Sequence, residues 1–365
     1  MPISFNAYMK KWLKKRKAEG LCQRCGQPHD SGKCYCDACR KLMKDRQIER
    51  TINNQCVVCG MPTNDGMRMC EYHLEQKRLY QKTRRWERAS KVLECKPIAD
   101  KMLSELAAPG VTPVLIIVHV GEDPASEVYV RNKVRAAKKC GIHAEVIRLP
   151  ADISADDFRA RVENDISFYA PDGVIIQMPL PEHLCKTAEA IINKLSWRCD
   201  VDGLGLKNKA VWDNPNKGQK PCTAIGIMKI LEHYDIPVDG KNVVIVGRSE
   251  LVGKPLANML TAANATVTLC HSHTANLNSL TLHADILISA VGKPDFIKPE
   301  MVSKRCVLID VGINRTESGI VGDCSEEARE KVRAYTPVPG GVGQMTTAML
   351  MYNVVKSNRG ETNVG

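Results

Sequence analysis

The sequence predicts an α/β fold behind a small metal-stapled module, and three observations predict it. From about residue 91 onward, apolar runs of strand length alternate with helical stretches, the pattern of a parallel sheet covered by helices. Eight of the 16 cysteines fall within the first 70 residues, in a spacing that repeats. Residues 1–93 hold 21 Lys and Arg against 9 Asp and Glu, a surplus of +12 in a chain whose total is +11, so the rest is near neutral. A length of 365 residues implies two or three domains with ample core. Hydrophobic content of 44% and charged content of 25% are ordinary for a soluble globular protein. No apolar run reaches the roughly 18 residues of a membrane span. The N-terminal lysines lead into no apolar stretch, so no signal peptide is expected and a cytoplasmic location is.

The first module is read from its ligand spacing. Cys22-x2-Cys25-x10-Cys36-x2-Cys39 is followed, at a period of 34 residues, by Cys56-x2-Cys59-x10-Cys70-x2-His73. Glycine follows each first pair, at Gly26 and Gly60, and each second pair opens a polar helical stretch, Asp37–Arg50 and Glu71–Arg88. Without a secretory signal, cysteines so arranged are ligands sooner than disulfides. Four soft ligands in paired turns suit tetrahedral Zn²⁺, which gives two structural zinc sites, one per repeat. The competing reading is a set of unligated thiols, against which the repetition speaks. Cys34 stands outside the pattern. Basic runs flank the ligands (Lys10, Lys11, Lys14–Lys17, then Lys77, Arg78, Lys82, Arg84, Arg85, Arg88), with Trp12, Tyr80 and Trp86 among them. Basic patches with interleaved aromatics favour a nucleic-acid backbone; a solvated helix face or an acidic protein partner remains open.

In the second module the expected strands are Val114–Val120, Val174–Ile176, Val243–Val246, Thr266–Leu269, Ile286–Ile288 and Val307–Val311. The polar segment Pro215–Lys220 is a candidate hinge between two lobes. Five blocks carry chemistry. In SEVYVRNKV, Tyr129 and Lys133 are four residues apart and share a helix face. Such a lysine serves as surface decoration, or, held against an aromatic ring in a closed pocket, as an acid or base with a lowered pKa. In GVIIQMPL a strand ends on Gln177, at the carboxyl end where α/β sheets bind ligands. Asp200-Val201-Asp202-Gly203 pairs two acids before a glycine, which is also a common turn. Gly247-Arg248-Ser249-x3-Gly253 follows a strand and opens a helix, as a dinucleotide phosphate loop does. The next strand ends at Cys270-His271-Ser272 with no acid for a ribose hydroxyl, so Arg248 and Ser272 would cradle a 2′-phosphate, favouring NADP over NAD. His271 and His273 read as loop residues. Fifth, Tyr335–Thr346 (YTPVPGGVGQMT) joins two prolines to three glycines, which fixes a backbone shape of the kind that meets a ligand.

In this order and spacing the five blocks resemble the methylenetetrahydrofolate dehydrogenase/cyclohydrolase family across roughly residues 91–360, supported by KPCTAIGI (Lys220–Ile227), ADILISAVGKP (Ala284–Pro294) and VLIDVGINR (Val307–Arg315). The resemblance implies a homodimeric, two-lobed α/β enzyme. Its folate lobe would span 94–220, completed by the C-terminal helix within 341–365, and its Rossmann-like NADP lobe 221–340. It makes Lys133 the general acid/base, Gln177 its hydrogen-bond partner, and Tyr129 a platform for the folate rings. Asp202 would bind the pterin, and Pro339 and Gly340 would line the same cleft. Gly247, Arg248, Ser249, Gly253, Ser272 and Ile313 would hold NADP. The implied chemistry is oxidation of 5,10-methylenetetrahydrofolate and hydrolysis of the methenyl product to 10-formyltetrahydrofolate, with no metal required. Departures from the family pattern are Gln344 for a proline, Cys199 for a lysine, Gly205-Leu206 for a His-Pro-like pair and Ala224 for a proline. They bear on the ratio of the two activities. The alternative is a nucleic-acid- or partner-binding zinc protein with an inactive folate body as dimerisation scaffold; a scaffold need not keep Tyr129, Lys133, Gln177 and Asp202.

Overall fold

The computed structural model describes residues 37–52, 91–106, 112–214, 217–317 and 319–360, with residues 19, 21, 35, 55, 56, 58, 61, 63, 69–71, 73, 74 and 77. The chain divides into two units, Met1–Arg85 and Trp86–Gly365. In the first, helix α1 (Asp37–Ile52) forms over the expected polar stretch. Of the second expected stretch, Glu71, His73, Leu74 and Lys77 are described, and all four are helical. The basic runs and aromatics flanking the ligands otherwise lie outside the described residues.

In the second unit, α2 (Lys96–Leu106) precedes β1 (Val114–Val120), α3 (Pro124–Lys139), β2 (His143–Leu149), α4 (Ala155–Tyr169), β3 (Gly173–Ile176) and α5 (Glu182–Lys194). The three strands form a parallel sheet in the order β2-β1-β3. Period-two alternation sorts the sides of β1. Leu115 and Ile117 pack with Val130, Ala137 and Met349, whereas Ile116 and Val118 pack with Phe158, Val162 and Leu184. Because helices cover both faces, β1 reads as a continuous apolar run.

A short helix, α6 (Leu206–Lys209), leads to α7 (Cys222–His233) and the second sheet. Its strands are β4 (Asn242–Val246), β5 (Thr266–Cys270), β6 (Ile286–Ser289), β7 (Val307–Asp310) and β10 (Ala334–Tyr335), in the parallel order β10-β7-β6-β4-β5. Between them lie α8 (Gly253–Ala262), α9 (Leu277–Leu282), the antiparallel pair β8 (Asn314–Thr316) and β9 (Gly319–Val321), and α10 (Glu326–Lys331). Helix α11 (Val342–Asn358) closes the chain. With β5 and β6 on either side of β4, and β2 and β3 on either side of β1, strand order reverses at β4 and at β1. Such points open crevices at the strands' carboxyl ends. One apolar cluster joins the sheets: Leu115 and Ile175 of the first share it with Val243 and Ile288 of the second, through Ile225 and Ile227 of α7 and Met345 and Leu350 of α11.

Three expectations change. Strand β2 was not anticipated, because HAEVIRL carries polar and charged residues on an edge that is only partly covered. The helix begins at Val342, so the last third of the Pro/Gly run is helical. The expected hinge is partly core: Pro215 and Asn216 lie outside the described residues, but Gln219 and Lys220 are buried. Lys220 Nζ donates to the Val211 carbonyl and, at 2.5 Å, to the Lys217 carbonyl. Burial lowers its pKa to about 8. Hydrogen bonds to backbone let a polar segment be buried here.

Candidate active site

Helix α3 forms because Asp123 caps it, accepting from Ser126 N at 2.7 Å, with Pro124 in the first turn and Lys138 and Lys139 in the last. It follows β1, so its inner face overlooks the sheet's carboxyl edge, where Gln177 comes directly after β3. Lys133 Nζ donates to Gln177 Oε1 at 2.9 Å across 44 residues of sequence. Gln177 is buried, and its Nε2 donates to Met178 O at 2.7 Å, which leaves Oε1 turned to the lysine. Lys133 is half-buried and Tyr129, one turn earlier, is exposed.

Asp202 approaches the same place. Cys222 Sγ lies 3.4 Å from Val201 O and 3.6 Å from Asp202 Oδ1, two acceptors between which its single S–H proton is shared. Burial pushes the Cys222 thiol well up, the Asp202 charge adds to this, and the Lys133 ammonium opposes it. Asp202 thus contacts Cys222, the Lys133 charge is felt at the same thiol, and Gln177 holds the lysine.

The preceding acid builds this turn. Buried Asp200 accepts from Gly205 N at 2.7 Å, Leu204 N at 3.2 Å and Asn208 Nδ2 at 2.8 Å. Its approach to Gly205 needs the small residue, since a Cβ there would sit 3.0 Å from Asp200 Oδ2. Behind the turn, Asn353 of α11 donates through Nδ2 to Val201 O at 2.8 Å and Lys220 O at 3.3 Å. Sequence reasoning missed Cys222, Asp200 and Asn353. The only signal was the place of Cys222 in KPCTAIGI and of Asp200 in the paired-acid turn.

In the second sheet, Gly247 follows β4 with φ of 126°, and a Cβ on it would lie 2.3 Å from Ala290 O. Gly253 opens α8 so close to Gly247 O that a Cβ would meet it at 1.9 Å. Neither position admits a side chain, so the backbone loop stays tight. Ser249 Oγ accepts from Val252 N at 3.2 Å, and Gly247 N donates to Cys270 O at 2.9 Å. Arg248 and Ser272 thus emerge, both exposed, from the adjacent ends of β4 and β5. Glu250 pairs with Lys254 and with Lys209 at 3.4 Å, and Lys254 holds its carboxyl below the usual range.

A cavity of about 320 Å³ is lined by Tyr129 on one side and by Ile313, Pro339 and Gly340 on the other. Lys133, Gln177 and Asp202 are not in its lining. Asp310 at its floor accepts from Gly312 N, Asp323 N and Cys324 N. Burial pushes the Asp310 carboxyl up to about 6. Asp323 accepts from Ser289, Val291, Gly292, Lys293 and Asn314, fixing the loop after β6.

Of the expected metal ligands, Cys22, Cys25, Cys36 and Cys59 lie outside the described residues, as does Cys34. Among the described residues, Cys56, Cys70 and His73 offer ligand atoms all within 4.8 Å of one another, with His73 Nδ1 3.2 Å from Cys70 Sγ and 3.6 Å from Cys56 Sγ. Cys39 is buried and is not in that group. Among the described residues, one partial cluster represents the expected arrangement, and the rest of it, Cys39 apart, lies outside them.

Comparison with known proteins gives a consistent picture. Residues 90–202 match the tetrahydrofolate dehydrogenase/cyclohydrolase catalytic domain, and residues 221–362 match the NAD(P)-binding domain of the same family. The bifunctional protein FolD of Polaromonas naphthalenivorans is 45% identical over 254 residues, covering 69% of this chain and 90% of that protein. The crystal structure of the bifunctional FolD methylenetetrahydrofolate dehydrogenase/cyclohydrolase from Campylobacter jejuni aligns with a TM-score of 0.71 at 39% identity, over 74% of this chain and 99% of that one. That of the Trypanosoma brucei enzyme, complexed with NADP cofactor and inhibitor, aligns with a TM-score of 0.69 at 30% identity, over 74% and 97%.

Proposed function

This chain belongs to the tetrahydrofolate dehydrogenase/cyclohydrolase family and is a methylenetetrahydrofolate dehydrogenase and methenyltetrahydrofolate cyclohydrolase; we propose that Lys133, Gln177, Tyr129 and Asp202 carry its two reactions. The observation behind this reading is the 2.9 Å hydrogen bond from Lys133 to Gln177, with the Lys133 and Asp202 charges both felt at the Cys222 thiol. Tyr129 packs on the folate rings, and Asp202 accepts hydrogen bonds from the pterin NH groups. Pro339 and Gly340 border the ring site. This places the one-carbon bridge beside Lys133.

NADP⁺ supplies a hydride acceptor. Gly247 and Gly253 let backbone close on its phosphates, Ser249 and Ile313 line its site, and Arg248 and Ser272 take the 2′-phosphate. Oxidation leaves a cationic amidinium carbon, to which water adds with loss of one proton to solvent; the neutral adduct opens to the 10-formyl product as the bond from that carbon to the ring nitrogen breaks and the remaining hydroxyl proton moves to this nitrogen. Lys133 relays that proton, and Gln177, accepting from the ammonium, keeps Nζ aimed at the reacting carbon. The subunit works as a homodimer, with 94–220 and the C-terminal helix holding folate and 221–340 holding the dinucleotide. The intact Lys133–Gln177 pair favours this over a catalytically dead scaffold.

The test is turnover of 5,10-methylenetetrahydrofolate with each dinucleotide. The reading expects methenyl absorbance and 10-formyltetrahydrofolate, with NADP⁺ preferred; no turnover with either dinucleotide would remove it.

For the N-terminal unit, Cys56, Cys70 and His73 support a structural Zn²⁺ completed by Cys59, with Cys22, Cys25, Cys36 and Cys39 as a second set by sequence repetition. The +12 surplus suits a nucleic-acid backbone. Zinc content well below one ion per chain removes the metal, and absence of salt-sensitive DNA or RNA binding removes the partner.

A further inference from the structure

Two loops that border the dinucleotide crevice hang on one carboxylate. Strand order reverses at β4, so the crevice opens between the loops after β4 and β6. Those loops touch, since a Cβ on Gly247 would lie 2.3 Å from Ala290 O. Past Ala290, the N–H groups of Val291, Gly292 and Lys293 converge on Asp323 at 2.7, 3.2 and 3.0 Å. Gly292 permits this with a φ of 70°, and three successive N–H groups so turned form an anion-binding concavity. Elsewhere such a concavity takes a phosphate; here the chain fills it with its own acid. Asp323 is fully buried and also accepts from Ser289 Oγ at 3.1 Å and Asn314 Nδ2 at 3.0 Å. Asn314 opens β8 beside Ile313, which lines the cavity with Tyr129, Pro339 and Gly340. Gly312 comes so close that a Cβ would sit 2.0 Å from Asp323 Oδ1. Asp323 N in turn donates to Asp310 Oδ1, at the end of β7, at 2.9 Å. Oδ2 therefore holds the loop that abuts Gly247, and Oδ1 joins the end of that loop to residues 312–314.

We propose that Asp323 is a positioning residue for hydride transfer: by clamping the loop after β6 to residues 312–314, it fixes how far the nicotinamide ring stands from the one-carbon bridge of the folate. The inference rests on the functional reading above and adds a residue to the first of its two reactions. In that reaction a C–H bond of the bridge breaks and its electron pair moves with the hydrogen to the nicotinamide ring. The folate is oxidised as NADP⁺ is reduced. No side chain exchanges a proton in this step, so its rate depends on the distance and angle of approach. Water addition to the methenyl carbon involves no nicotinamide, and Lys133, Gln177 and Asp202 are not among the partners of Asp323 given above. The second reaction is therefore independent of the clamp.

The experiment uses Asp323→Asn in the full-length protein, an isostere with one acceptor oxygen in place of two. Either Val291 and Gly292 or Lys293 and Asn314 then face an amide NH₂ and lose their acceptor. Dehydrogenase kcat should fall about ten- to a hundredfold, with the KM values for folate and NADP⁺ held within about threefold. Hydrolysis of supplied 5,10-methenyltetrahydrofolate should stay within about twofold of the wild-type rate. In the ligand-free protein, amide hydrogen exchange at residues 291–293 should quicken while β4 and β6 stay protected. Equal losses in the two activities, an unchanged dehydrogenase or unchanged exchange at 291–293 would overturn the inference. A raised KM for NADP⁺ with kcat retained would also overturn it, since the clamp would then serve binding alone. Each of these results leaves the enzyme assignment intact. No turnover of 5,10-methylenetetrahydrofolate by the wild type overturns the functional reading and this inference with it. If Asp323→Asn does not fold, Asn314→Ala cuts only the tie to β8 and should show the same split between the activities at smaller size; equal losses there overturn the inference.

Discussion

Lys133 and Gln177 show how much of the site one polar contact decides. Neither residue is unusual alone, and 44 positions separate them, so the contact was visible beforehand only through family resemblance. Cys222 had only its place in KPCTAIGI and Asn353 lacked even that cue, since a lone asparagine in an apolar helix reads as core. Asp310 supports a prediction at the same scale. Its carboxyl is raised from the ordinary 3.8 to about 6, chiefly by burial. A raised folded pKa means the folded state holds the proton more tightly, so this contribution to stability is present below pH 3.8 and is lost as pH rises through about 6. In Asp310→Asn that component vanishes. Chemical denaturation at pH 4 and pH 7 should show wild-type stability falling relative to the variant by roughly 2 kcal/mol; a difference that stays level between the two pH values would remove the raised pKa from the account.

Among the elements, α11 is tied by Asn353 to the backbone just before Asp202 and to the carbonyl of Lys220. Asn353→Leu removes the side-chain donor to Lys220 O and leaves Val201 O to the weak Cys222 thiol; a buried carbonyl left unpaired costs about 1–3 kcal/mol. The expected outcome is a lower unfolding midpoint and a raised KM for folate with the KM for NADP⁺ unchanged; a rise in both would mean that the helix merely supports the fold. The loop after β4 gives the converse test. Gly247→Ala drives a Cβ toward Ala290 O at a φ of 126°, so dinucleotide affinity should fall about ten- to a hundredfold while folate binding persists. Dye-displacement titrations of each ligand would separate the two effects. Strands β1, β4 and β7 were legible because burial on both faces leaves nearly unbroken apolar runs. Edge strand β2 was not, since HAEVIRL is apolar on neither face throughout.

Over the whole molecule, two units with different logic share one chain. The second is held by an apolar cluster that runs from one sheet to the other; its α/β class could be read from alternation, whereas its two-lobed plan came with the resemblance. The polar linker misled because Lys220 and Gln219 are buried through backbone hydrogen bonds that sequence does not display. In the first unit, four of the eight expected zinc ligands lie outside the described residues, and the Cys56, Cys70 and His73 group is what the structure contributes. A strong chelator should therefore lower helicity in residues 1–85 without changing dehydrogenase turnover; loss of turnover together with the metal would show that the units are coupled. The central claim is that one lysine moves the proton for hydrolysis while hydride transfer depends on positioning. It is tested most directly by following both products from 5,10-methylenetetrahydrofolate and NADP⁺ in Lys133→Met. The predicted result is continued NADPH formation with methenyltetrahydrofolate accumulating and 10-formyltetrahydrofolate appearing only at the uncatalysed rate. Formyl product at the wild-type rate would contradict it.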